Sequence, residues 1–459
     1  MSSRGVESLA QKIERIGSPV RMLRDSPHGP FKMQYPPVHS NWQHEQKAVY
    51  ETAVLFDQSH HMTDVYFKGP DVTRLLSESG TNSFATYGRN RAKQLTICND
   101  DGYLIGTAVL FGLEEFEASL VGPAGAANWV QFRAETGGYD VEVKRDERTH
   151  DNAGRRLMYR YEIAGPNAMQ TIEKVSGRSF DDVGFFQMTE FSIETRQVRA
   201  LTHTVIGLPG RDSRGMEIFG PVDEGEAVLD AILKAGEEFG LVRAGGLAYY
   251  TDSMLTGYPA QPTPAIFSGE KTQAYREWLP GDWYEGKLSV GGSFASENVE
   301  DYYVTPYDFG YGHLVKFDHE FVGRDALAQM ADQPHRQKVW LIWDRDEVMR
   351  VIASSLFDDE QNRAKFLDTP LGRYARVHCD TVLVGDKQIG ISTVCAYTTN
   401  IRSWFSVAFI DPADVRDGSE VQIVWGEENG GTAKRNVEPH KQTTIHATMK
   451  TERPSVISA

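Results

Sequence analysis

Apolar positions along the chain switch between the two-residue period of strands and the longer period of helices, and the order of these switches lays out the architecture. A helix-like piece at residues 5–16 precedes the proline-rich, irregular stretch SPHGPFKMQYPPVHSNW. AVLFDQSHHMTDVYFKGPD, Ala53 to Asp71, reads as a buried strand, a loop and a second strand over Thr63 to Lys68. GPDVTRLLSESG follows as a helix opened by Pro70, with Val72, Leu75 and Leu76 on one face and Gly80 at its end. TAVLFG and FEASLVG make a hairpin, a second helix begins near Ala124, and KRDERTHDNAGRR reads as a charged, solvated linker.

The order strand, Gly-Pro, amphipathic helix then recurs. VYFKGPDVTRLLSESG is matched by YRYEIAGPNAMQTIEKVSG, which points to two related modules. Glu224 to Phe239 is a helix with Val228, Ala231, Ile232, Ala235 and Phe239 on one stripe and Gly240 as its stop. From about residue 335, KVWLIW, DTVLVG, WFSVAFI and EVQIVWG, with almost no long helical pattern between them, indicate a β-barrel or sandwich. The expected fold class is α+β in three domains: 1–155, 156–334 and 335–459.

A chain of 459 residues exceeds one ordinary core, which agrees with that division. The net charge of −16 argues against a protein that tracks nucleic-acid backbones, and it obliges any acidic ligand to find a local Arg or Lys. Cys98, Cys379 and Cys395 show neither CxxC nor Cys/His spacing, which disfavours a disulfide framework and a structural zinc. The start MSSRGVESLAQKIERIG lacks the apolar run of a signal peptide, and no segment approaches about 18 apolar residues. The expected setting is the cytoplasm, away from membranes, as a monomer or homodimer.

Three polar intrusions are candidates for chemistry. Gln58, His60 and His61 interrupt an apolar segment; adjacent strand residues face opposite sides, so at most one of the two histidines is expected in a given pocket. Glu217, between Met216 and Ile218, is either a solvated outward carboxylate or a buried acceptor for a planar pair of donors. GGLAYYTDSMLTGY sets the phenols of Tyr249 and Tyr250 beside flexible backbone, with core packing as the competing explanation. No GxGxxG, GxxxxGK[ST] or GxSxG motif is present. These patterns alone name no reaction.

The long segments VLFDQSHHMTDVYFKGPD, VRAGGLAYYTDSMLTGY and FGYGHLVKFDHEFVGRDAL resemble the glycine-cleavage T-protein (aminomethyltransferase) family over most of the chain. That resemblance implies three domains around a central folate site and one-carbon transfer to or from tetrahydrofolate. In DDGYLIGTAVL, Gly106 and Thr107 stand where the aminomethyltransferases carry a catalytic aspartate pair, so glycine-cleavage activity is not expected. QAYREWLP, GGSFASENVEDYYVTPY and IVWGEENGGTAK are closer to the branch that O-demethylates lignin-derived methoxybenzoates.

The branch implies transfer of an ether methyl to tetrahydrofolate without metal, flavin or nicotinamide. It implies Tyr249 and His61 as catalytic groups and Gln58, His61 and His60 at the substrate, with His60 turned into structure. Arg24, just before the pocket loop, is the expected carboxylate contact, and Glu217, Tyr258 and Tyr249 are expected at the folate. Tyr250 is expected to point to the side opposite Tyr249. The loops PHGPFKMQY and LVGPAG, with Pro123 where the vanillate enzyme has Arg, favour syringate over vanillate or 3-O-methylgallate as substrate. Demethylation of another methyl donor and folate binding without turnover are the alternatives.

Overall fold

The protein is described by a computed structural model covering residues 6–31, 36–203, 215–259 and 262–457. Its first sheet is antiparallel, in the order Ala92–Cys98, Leu104–Glu114, Glu117–Gly122, Thr63–Lys68 and Glu142–Asp146. The hairpin expected around TAVLFG and FEASLVG is its centre, with Val109 opposite Val121. Helices Val72–Ser79 and Ala124–Thr136 supply Val72, Leu75, Leu76, Trp129 and Val130 to the core beside this sheet.

The second sheet runs Leu241–Ala244, Ala53–Asp57, Met158–Ala164, Met216–Pro221, Arg196–Thr202 and Met188–Ile193, with only the first pair parallel. Ala53–Asp57 joins it from outside residues 156–334, so the two strands of the opening segment belong to different sheets. The Gly-Pro repeat has a physical cause in both modules. Gly69 and Gly165 take φ of +149° and +113°, and a Cβ there would come within 2.2 Å of the Asp140 carbonyl and 2.9 Å of the Thr52 carbonyl. Only glycine makes either turn at that separation.

The third region is a closed barrel of six strands: Lys387–Thr398, Asp380–Val384, Glu420–Trp425, Thr443–Lys450, Gln337–Trp343 and Ser403–Ile410, the last pairing back to the first. All four strand segments read from the sequence lie in it. One helix of 13 residues, Arg345–Phe357, also lies in this region, burying Val348 and Val351.

Two expectations need correction. KRDERTHDNAGRR is not a solvated linker: its first residues complete the strand Glu142–Asp146, and Arg156 is buried with Nε 3.1 Å from Asp146 and Nη2 3.2 Å from Asp64. Burying the arginine is tolerated because two carboxylates accept from it. Gln58 to Met62 form the loop read between the two strands, so the facing rule applied to His60 and His61, which holds for neighbours within a strand, does not govern them.

Candidate active site

The site is built around the helix Gly246–Leu255. Its first N–H groups are taken by the Pro36 and Pro37 carbonyls, Gly246 N at 3.0 Å and Leu247 N at 3.0 Å. The preceding Gly245 donates to Glu45 Oε2 at 2.9 Å, and a Cβ on it would lie 2.4 Å from the Pro37 carbonyl oxygen. That contact explains a glycine at the entrance to the helix. From there the helix bridges two bodies: Tyr249 packs with Phe56 of the second sheet, while Met254 and Leu255 pack with Trp340 and Phe405 of the barrel.

A cavity of about 400 Å³ opens at this junction, a size typical of small-molecule sites. Of the residues expected at the site, His61, Tyr249 and Tyr258 line it. Tyr249 is buried and stands edge-on to His61, with ring centroids 5.6 Å apart at 73°. His61 is driven down to about 4 by its removal from water, against the opposing pull of the Glu217 charge. The imidazole is therefore neutral at pH 7. Tyr250 also lines the cavity, with Arg373 5.0 Å over its ring. This corrects the expectation of opposite faces: neighbours on a helix are about 100° apart, whereas neighbours on a strand are about 180° apart.

Gln58, His60, Arg24 and Glu217 are not on the cavity wall. Gln58 is buried and donates to Glu162. His60 turns outward, with Nδ1 2.8 Å from Thr149 Oγ1. Arg24 gives Nη1 to the Phe294 carbonyl at 2.6 Å and Nη2 to the Gly292 carbonyl at 3.1 Å. It lines a separate hollow with Glu427 and Lys434, so the carboxylate role expected of it has no support in its position.

Glu217 is buried, as the second of its two readings required. Oε1 accepts from Arg160 Nη1 at 2.7 Å, and Oε2 lies 3.1 Å from His203 Nε2. Burial raises its pKa, but His203 and Arg160 outweigh this and hold the carboxyl down to about 2. Arg160 is in turn bonded to Asp64 and lies 4.8 Å from the ring centroids of both Phe111 and Phe219. Sequence reasoning missed Arg160, although it sits in the alternating strand YRYEIA, two positions from Glu162 and in the strand paired with that of Glu217. Each Glu217 oxygen keeps a second lone pair, so the carboxylate retains the capacity to accept a pair of N–H donors.

The wall also takes residues from the two loops singled out in the sequence. Phe31, from PHGPFKMQY, and Pro123, from LVGPAG, both line it, while residues 32–35 of the first loop lie outside the described residues. Arg148, Arg373 and Arg376 add positive charge. Among the described residues no group of three or more His, Cys, Asp or Glu is placed to hold a metal ion, and no helix is long and apolar enough to cross a membrane.

The chain has recognisable relatives among known proteins. Residues 29–260 match the GCVT N-terminal domain family. Syringate O-demethylase of a Sphingobium species is 41% identical over 445 residues, covering 96% of this chain and 94% of that protein. Sesamin methylene transferase of a Sinomonas species is 26% identical, covering 82% of each chain. The crystal structure of the glycine cleavage system aminomethyltransferase T from Bartonella henselae shares the fold, with a TM-score of 0.60 over 98% of both chains at 15% identity.

Proposed function

The chain belongs to the GCVT family of folate-dependent transferases, and from that membership we propose that it is a tetrahydrofolate-dependent O-demethylase of methoxybenzoates with syringate as the preferred substrate. The observation that carries the reading is a buried phenol, Tyr249, against a neutral imidazole, His61, on the wall of a cavity sized for an aromatic ring.

Tetrahydrofolate supplies N5 as the acceptor of the ether methyl. The methyl–oxygen bond breaks as the methyl–nitrogen bond forms, the arene oxygen gains a proton, and N5 loses one. The products are 5-methyltetrahydrofolate and a catechol-type phenol such as 3-O-methylgallate. An aryl ether is slow to react because its leaving group is a basic phenolate. Tyr249, whose phenol ordinarily has a pKa of about 10, is matched to that oxygen and protonates it as charge appears. His61 offers a neutral hydrogen-bonding ring to the substrate's hydroxyl and methoxyl oxygens. Glu217, behind the cavity wall, is the carboxylate proposed for the paired pterin N–H donors, and Tyr258, on the wall, is proposed beside the folate. The remaining task is alignment, which rigid aromatic walls perform by holding the reacting atoms in line.

Incubation with tetrahydrofolate and, in parallel, syringate, vanillate, 3-O-methylgallate and a methylenedioxy arene tests the reading. Syringate is expected to give 5-methyltetrahydrofolate fastest. Faster conversion of the methylenedioxy compound to 5,10-methylenetetrahydrofolate would reassign the substrate class.

A further inference from the structure

Arg376 makes no ion pair among the described residues, although it is largely buried and lines the same cavity as Tyr249. Its guanidinium lies 4.2 Å from the centroid of the Phe31 ring, and Phe31 stacks on Tyr284 at 5.3 Å and 11°. Among the described residues the group donates one hydrogen bond, from Nη1 to the Tyr284 carbonyl at 3.3 Å. Its buried Nε–H has no partner. Two of the other arginines of this wall are paired with carboxylates: Arg145 gives Nε to Glu147 at 2.6 Å, and Arg148 is held by Asp151, whereas Arg373 lies over the Tyr250 ring. Burial pushes Arg376 down to about 10, with Arg148 and Arg373 adding to the push. Burial and Arg376 together hold His28 below the usual histidine range.

A buried guanidinium with an unmade N–H is costly unless a ligand supplies the acceptor. The guanidinium carbon lies over the Phe31 ring, and the Nε–H is left for an acceptor that a ligand would bring. The acceptor that fits a guanidinium edge with two parallel bonds is a carboxylate. In a chain of net charge −16, the cluster of Arg148, Arg373 and Arg376 is also a local reversal of the field, as an acidic ligand requires.

We propose that Arg376, lying over Phe31 and backed by Arg148 and Arg373, is a carboxylate-binding subsite of the cavity. The proposal rests on the functional reading above, under which two ligands bring a carboxylate: the methoxybenzoate and the glutamyl tail of the folate. Titration calorimetry of Arg376→Gln separates them. The probes are syringate against its carboxylate-free counterpart 2,6-dimethoxyphenol, and tetrahydrofolate against a tetrahydropterin without the tail.

The expected result is roughly 10- to 100-fold weaker binding of one acid, the effect of losing a hydrogen bond to a charged group, with its uncharged counterpart unaffected. The acid that weakens identifies the source. Arg376→Lys keeps the charge and loses the fork, so it falls between the two; it carries the test if the glutamine variant does not fold. Unchanged affinity for both acids, or equal weakening of an acid and its uncharged counterpart, overturns the subsite. A wild-type protein that binds neither methoxybenzoate nor folate overturns the functional reading, and the subsite with it.

Discussion

Tyr249 stands edge-on to His61 at 5.6 Å and edge-on to Phe56 at 5.3 Å, so its ring is fixed between the cavity and the second sheet. A phenol held this way loses little freedom when a substrate arrives, which is what positioning a proton donor demands. The neighbouring imidazole, kept uncharged by burial, cannot serve as a stronger acid in its place.

Tyr249→Phe is therefore expected to lower kcat by roughly 10²- to 10⁴-fold, the usual size of a lost general acid, with folate affinity little changed. Tyr250→Phe keeps a ring beneath Arg373 and is expected to retain most activity. Single-turnover demethylation by the two variants reads the chemical step without interference from product release. Retained turnover in Tyr249→Phe with loss in Tyr250→Phe transfers the role to the neighbour.

The elements of this fold were legible where periodicity and punctuation agree, as in the two Gly-Pro turns and the four barrel strand segments read from the sequence. The site was legible only in part. His61, Tyr249 and Tyr258 fall on the wall, but Tyr250 was assigned to the wrong face because GLAYYTDSML is a helix rather than an extended segment. Arg24 was misplaced because proximity in sequence to a pocket loop does not fix the direction of a long side chain, and backbone carbonyls capture this one. Arg376 is about 130 residues from Tyr249 along the chain and reaches the cavity only through tertiary folding. Arg148 was hidden in a stretch whose charge density suggested solvent, although partners bury several of its members.

Glu217→Gln is expected to act twice. It leaves Arg160 with Asp64 as its remaining carboxylate partner, so stability falls by about 3 kcal/mol, the low end for removing one partner from a buried pair. It also places an amide donor where the pterin offers donors, so folate affinity falls while arene affinity holds. Urea denaturation and titration calorimetry read the two effects separately. A folded variant with wild-type folate affinity confines Glu217 to its role beside Arg160 and His203.

His61 makes the protein sensitive to mild acid. The unfolded imidazole takes its proton near 6.5, whereas the folded one does so only near 4. Between these values the unfolded state binds more protons, so stability falls as pH falls through the window, by up to about 3 kcal/mol from this residue. His61→Asn is expected to flatten the stability profile between pH 6.5 and 4 relative to wild type, read as denaturation midpoints in urea at each pH. Parallel profiles for the two proteins would contradict the burial assigned to this ring.

Incubation of the wild-type protein with tetrahydrofolate and syringate carrying ¹³C in its methoxyl groups follows the methyl group itself. The account predicts that the label appears in 5-methyltetrahydrofolate, one equivalent for each phenol released, and that none is released without folate. Label recovered as methanol or formaldehyde, or phenol formed at an undiminished rate with folate omitted, would contradict methyl transfer to tetrahydrofolate.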